Sequence, residues 1–115
     1  MDLLRAVPIL TVTDVEAAVR EYSELLGLDV LMNLGWVATL GTGGGAQFSV
    51  MDIDQSAPCN PQMSVEVPDV DHAYQWAQDS GAEIVHPLQD EEWGVRRFFL
   101  RTSAGHVVNV LGHRS

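Results

Sequence analysis

The chain has 115 residues, enough for one compact domain or two half-domains that share a core, and a 46% hydrophobic composition excludes a disordered tail. Six basic residues against sixteen acidic ones give a formal charge of −10, which repels phosphate backbones and excludes a nucleic-acid partner. No run approaches the ~20 apolar residues of a membrane span, and the single cysteine, Cys59, excludes an internal disulfide or a cysteine-based metal cluster.

In chain order, Ala6 to Gly27 (AVPILTVTDVEAAVREYSELLG) reads as a strand, a capping Asp, a helix and a glycine stop. Val7, Ile9 and Val12 are apolar, with Thr11 and Thr13 on either side of Val12, and Asp14 offers a side-chain acceptor to the first free helical N–H groups. The helix is predicted over 15–26. Val15, Ala18, Val19, Tyr22, Leu25 and Leu26 fall on one side, and Glu16, Arg20, Glu21 and Glu24 on the other. Three strands follow, at 28–33, 36–40 and 47–52. The run Gly43-Gly44-Gly45 between the last two is a hairpin turn: a phosphate-cradling loop opens a helix and usually carries a Lys, and this one enters a strand.

Residues 54–62, with two prolines and no periodicity, are a linker between a first module at 1–53 and a second at 63–115. Fifty-five positions after Asp14, Asp69 repeats the capping role in MSVEVPDVDHAYQWAQDSG. This copy reads as a strand at 63–67, a helix at 70–80, one residue shorter than the first, and a strand at 83–86. After a polar loop at 87–92 come strands at 96–102 and 107–111 around a Ser103-Ala104-Gly105 turn. Each half is βαβββ, and the predicted class is α+β with a site where the copies meet.

A paired βαβββ unit with these signals resembles the vicinal oxygen chelate superfamily, which includes glyoxalase I, extradiol dioxygenases, and fosfomycin and bleomycin resistance proteins. The resemblance covers nearly the whole chain. The opening AVPILTVTDVEAAV and the later EEWGVRRFFLRTSAGHVVNV look most like the bleomycin resistance proteins, the first motif being the more specific. Metal-dependent members place a His, Gln or Glu at four inward positions. The first-strand position, seven residues before the capping Asp, lands on Val7 and Gln62; the last-strand position, four after the turn glycine, lands on Ser49 and Asn109. Val7 has no donor and the other three are neutral, so no metal and no cofactor is expected.

With no membrane span and no basic, apolar N-terminus, a cytoplasmic protein is expected; the resemblance implies a homodimer that exchanges strands through the N-terminal segment, with Pro8 as hinge, and takes a flat cationic antibiotic into interface grooves. An acidic chain attracts such a ligand. The candidate ligand-binding residues are Trp36, Phe48, Ser49, Gln62, Trp93, Phe98 and Asn109, the aromatics offering faces for stacked rings and cations. Asp90, Glu91 and Glu92 add charge at a groove rim. Of Phe98 and Phe99, alternation turns one inward. At least two of Arg96, Arg97 and Arg101 belong to surface salt bridges, and Trp76 to an edge of the second helix. The four histidines, His72, His86, His106 and His113, are expected at surfaces or turns, and no residue pairs Cys59 with a base. The expected function is metal-independent sequestration of a bleomycin-type antibiotic, conferring resistance. The alternatives are a metal-dependent glyoxalase- or dioxygenase-type enzyme of the same superfamily, favoured by an inward histidine, and a structural dimer whose groove its own side chains fill.

Overall fold

In the computed structural model, which describes residues 2–113, Val7–Asn60 cluster as one unit and the residues before and after them as another. Strand β1 (Arg5–Thr11) begins in the second of these and continues in the first. The first unit then adds α1 (Val15–Leu26), β2 (Asp29–Asn33), β3 (Val37–Gly41) and β4 (Gln47–Met51). β1 runs parallel to β4, while β4 and β3, and β3 and β2, are antiparallel.

Helix α1 starts where Asp14, in extended conformation, accepts the Ala17 N–H at 3.0 Å. It stops at Gly27, whose φ of 64° few other residues adopt and whose N–H reaches Ser23 O at 2.9 Å. Its sheet-facing side packs Val15, Ala18, Val19 and Tyr22 on Val12, Ala38, Phe48 and Val50, with the Tyr22 ring edge-on to Phe48 at 5.1 Å. Alternation along the strands sends Ile9, Val37 and Met51 to the opposite face, where Trp36 packs against them. The predicted glycine turn is a hairpin in which the Gly45 N–H reaches Thr42 O and the Thr42 N–H reaches Ala46 O. The stretch expected as a featureless linker is tied down. Asp54 is buried and accepts from Ser56 N–H and Oγ, while Asn60 Nδ2 donates to Thr11 Oγ1 at 3.2 Å and to Asp52 O at 2.6 Å.

The second unit repeats the pattern with β5 (Met63–Glu66), α2 (Val70–Asp79), β6 (Glu83–Asp90), β7 (Val95–Arg101) and β8 (Val107–His113). β5 is parallel to β8, and β8, β7 and β6 are antiparallel in turn. Leu4 N–H donates to Glu66 O at 2.8 Å, and Arg5 pairs with Glu66 at 3.3 Å, so the start of the chain belongs to this sheet. Asp69 caps α2 through the His72 N–H at 3.0 Å. The helix has 10 residues to the 12 of α1, a larger difference than the sequence suggests. Val65, Val67, Val70, Ala73, Ala77, Phe98 and Val110 form the core beneath it, and the Tyr74 ring meets Phe98 edge-on at 4.9 Å. The Thr102–His106 turn reproduces the hydrogen bonds of Thr42–Ala46. The fold is α+β with repeated βαβ elements.

One element departs from expectation beyond its ends. The loop predicted at 87–92 is mostly strand, because β6 continues through Pro87 to Asp90. β6 is an edge strand, where a residue without an N–H is tolerated. Its pairing shifts between Ile84 and His86 and again between His86 and Gln89.

Candidate functional site

Alternation in the second unit points Val65, Phe98, Leu100, Val108 and Val110 at α2. Ser64 and Glu66, Arg97 and Phe99, and Asn109 and Leu111 therefore share the opposite face. The two register shifts bring His86 to that face as well. Ile84 pairs with Leu100 and Gln89 with Arg97, but His86 pairs with Phe99, and its ring lies 5.0 Å from the Phe99 ring. A bulge re-aims one side chain in this way.

The result is a buried polar cluster on an apolar floor. Arg97, 2% exposed, donates from Nε to Glu91 Oε1 at 3.0 Å, and Glu91 also accepts from Gln89 Nε2 at 3.1 Å. The guanidinium lies over the Trp93 ring at 4.9 Å and the Phe99 ring at 4.8 Å. His86 Nδ1 is 2.8 Å from Pro87 O, which only accepts, so Nδ1 carries the proton; Nε2 stands 3.4 Å from Glu91 Oε1. His86 is 3% exposed, which corrects its expected place at a surface or turn, whereas His72, His106 and His113 are exposed. Glu91 is likewise buried, not a rim charge as the sequence suggested, because Arg97 draws it inward. Nothing in an alternating pattern marks these three. The bulges that bring them together are invisible in composition.

Arg96 and Arg101 do take the expected surface pairs, with Asp71 and Asp90 and with Glu83. The hydrogen bonds that Arg96 donates to Asp71 first, and then to Asp90, raise its pKa above the ordinary value. Arg96, Asp71, Asp90, Asp69 and His113 line a shallow depression of about 450 Å³ at the start of α2.

The sequence-predicted residues divide between the faces. Phe48 and Phe98 lie on the helix-covered faces, each edge-on to a helix tyrosine, which removes them from any concave binding surface. Phe99 is the member of its pair that faces away from α2. Trp36 packs with Ile9, Val37 and Met51 on the uncovered face of the first unit, half-buried, and Trp93 is 37% exposed. Trp76 is exposed on α2. Cys59 is half-buried, and Pro8 is exposed just past the point where the chain passes from one unit to the other.

The four positions at which metal-dependent relatives carry ligands do not fit a divalent first-row ion. Val7 is buried and apolar. The Ser49 hydroxyl shares a 2.8 Å hydrogen bond with Thr39, and Gln62 Oε1 accepts the Val107 N–H at 2.6 Å. Asn109 donates from Nδ2 to Ser64 Oγ at 3.0 Å. Neutral oxygens compete poorly with imidazole or carboxylate for such ions. Among the described residues no group of three or more His, Cys, Asp or Glu is placed to hold a metal, and no helix is long and apolar enough to cross a membrane.

Comparison with known proteins agrees with this architecture. No curated protein sequence matches significantly. The fold is similar to that of a solved structure described as an NAD-dependent benzaldehyde dehydrogenase from Legionella pneumophila (TM-score 0.80, 16% identity, 95% of this chain and 99% of that one). It is also similar to a superfamily member from Vibrio splendidus 12B01 (0.72, 18%, 96% and 99%) and to methylmalonyl-CoA epimerase from Mycobacterium tuberculosis (0.71, 18%, 98% and 88%). At these identities the likeness is one of fold. The profile of the glyoxalase/bleomycin resistance protein/dioxygenase superfamily matches residues 4–110, and the chain belongs to that superfamily.

Proposed function

We propose that the protein is a metal-independent binding protein that sequesters a flat, aromatic, cationic antibiotic of the bleomycin type by stoichiometric capture. The observation that carries this reading is the chemistry of the four inward positions. Val7 and Ser49 in one unit, and Gln62 and Asn109 in the other, are apolar or neutral, chemistry that suits an organic molecule and leaves a metal ion without charged donors. Trp36 and Trp93 supply aromatic area on the faces away from the helices. Arg97 already lies over Trp93 and Phe99, so the ligand's positive charge is drawn by the −10 field of the chain and not by those two rings.

The same reading includes a homodimer with strands exchanged about Pro8. Support comes from β2, an edge strand whose five residues are all exposed and include Val30, Leu31 and Met32, next in sequence to the exposed Leu25 and Leu26 of α1. Apolar side chains gathered this way mark contact surfaces. A cytoplasmic role in antibiotic resistance belongs to this reading too.

An enzyme of the same superfamily with a displaced metal site is the second reading. His86 favours it, being an inward histidine beside Glu91. Calorimetric titration of metal-free protein with metal-free bleomycin, a neutral aromatic control and divalent metals separates the two. One salt-sensitive site per protomer, indifferent to added metal, supports capture. Silence with the drug together with stoichiometric uptake of Ni²⁺ or Zn²⁺ overturns it in favour of the enzyme.

A further inference from the structure

The two units differ in the cross-strand partner given to equivalent polar residues, Ser49 and Asn109. In the first, Ser49 faces Thr39 across the β3–β4 register, and the two hydroxyls satisfy one another at 2.8 Å. In the second, Asn109 faces Phe99 across the β7–β8 register, and a phenyl ring offers no hydrogen bond. Asn109 turns instead to its other neighbour, donating from Nδ2 to Ser64 Oγ at 3.0 Å. Its Oδ1 is buried and accepts no hydrogen bond from the protein. A buried acceptor left unpaired costs roughly 1–3 kcal/mol, and folds retain few of them.

We infer that Asn109 Oδ1 is the polar anchor of the ligand site: it accepts a hydrogen bond from a neutral N–H or O–H group of the bound molecule. The inference rests on the binding reading above and adds the chemistry of recognition. With Nδ2 donating to Ser64 Oγ, the oxygen is the amide group left without a partner, and the Ser64 hydroxyl proton is available as a companion donor. Burial is graded along the row that runs from Gln62 through Ser64 of β5 to Asn109 of β8. Gln62 is exposed, Ser64 half-buried and Asn109 7% exposed, so exposure falls toward the acceptor. A molecule with a donor at that edge gains a hydrogen bond that the free protein lacks, and one without a donor gains nothing there, which gives a preference that stacking alone lacks.

The test uses isotope-labelled full-length protein and three probes: metal-free bleomycin, indole, and 1-methylindole, which has no N–H. Indole is expected to move the Asn109 side-chain amide resonances in a saturable way, with 1-methylindole leaving them still, and Asn109→Leu is expected to weaken the drug about tenfold or more. Bleomycin binding wild type and Asn109→Leu equally overturns the anchor and leaves capture standing. No heat with bleomycin, but an indole response that 1-methylindole does not share, overturns the antibiotic and keeps the anchor. Equal responses to indole and 1-methylindole, or none to either, overturn the anchor in the wild-type protein, without reliance on a variant that folds.

Discussion

Arg97 donates to Glu91 at 3.0 Å with both side chains almost fully out of water, and the guanidinium also lies over Trp93 and Phe99. Removing one member of a buried pair strands the other charge. Arg97→Ala and Glu91→Ala are each expected to lower stability by about 3–5 kcal/mol. The double variant Arg97→Met/Glu91→Leu is expected to unfold at nearly the wild-type urea midpoint, since it removes both charges at once. A double variant as unstable as the two single losses added together would show that the pair is not coupled.

The helix caps give a smaller effect. Asp14 and Asp69 each accept one backbone N–H of the first turn at 3.0 Å. Substitution by Ala is expected to lower stability by about 1 kcal/mol at either site, and substitution by Asn to restore most of it. Urea denaturation monitored by far-ultraviolet circular dichroism measures both. An Ala variant that unfolds with wild type would show that the cap contributes nothing.

These caps are also where the sequence was most legible. Asp14, Gly27 and Asp69 act locally, so a reader of the chain finds both helix starts and the first stop without knowing what packs on them. The repeated turn at Thr42 and Thr102 and the alternating strands were readable for the same reason. The polar cluster was not. His86 reaches the face it shares with Phe99 because two bulges change the register of β6, and Glu91 is buried because Arg97 lies across the strand from Gln89. Both depend on pairing between distant segments, which local pattern does not encode. Phe48 and Phe98 illustrate the converse: they were named for their aromatic faces, and parity with Val50 and Val110 consigns them to the helices.

Gly41 is required by space. A Cβ there would stand 2.4 Å from the Ala46 carbonyl oxygen and 2.9 Å from Leu31 Cδ1. The backbone oxygen cannot yield as a flexible side chain would. Gly41→Ala is expected to cost about 1–3 kcal/mol and to disturb the β3–β4 hairpin. Gly44→Ala in the same turn meets nothing within 4 Å and is expected to stay near wild type. Paired thermal melts compare them, and equal losses would show that crowding at Gly41 is not the cause.

The division of aromatics between faces separates stability from binding. Phe98 is fully buried beneath α2 with Tyr74 on its edge, and Phe48 packs on Tyr22. Phe98→Ala is expected to cost about 3–5 kcal/mol, with Phe48→Ala below it because Phe48 is only half-buried. Phe48→Leu and Phe98→Leu conserve most of the apolar volume, so the folded protein is expected to bind metal-free bleomycin with a Kd within about twofold of wild type. Trp36→Ala and Trp93→Ala remove rings on the opposite faces, and each is expected to weaken the drug about tenfold. Trp93→Ala also uncovers the Arg97 guanidinium, so its loss of affinity is expected to come with some loss of stability, and Trp36→Ala serves as the cleaner probe. Calorimetric titration of the four folded variants decides the matter. Affinity lost at Phe48 or Phe98 and retained at Trp36 would place the ligand on the helix side of the sheets, contrary to the proposed site.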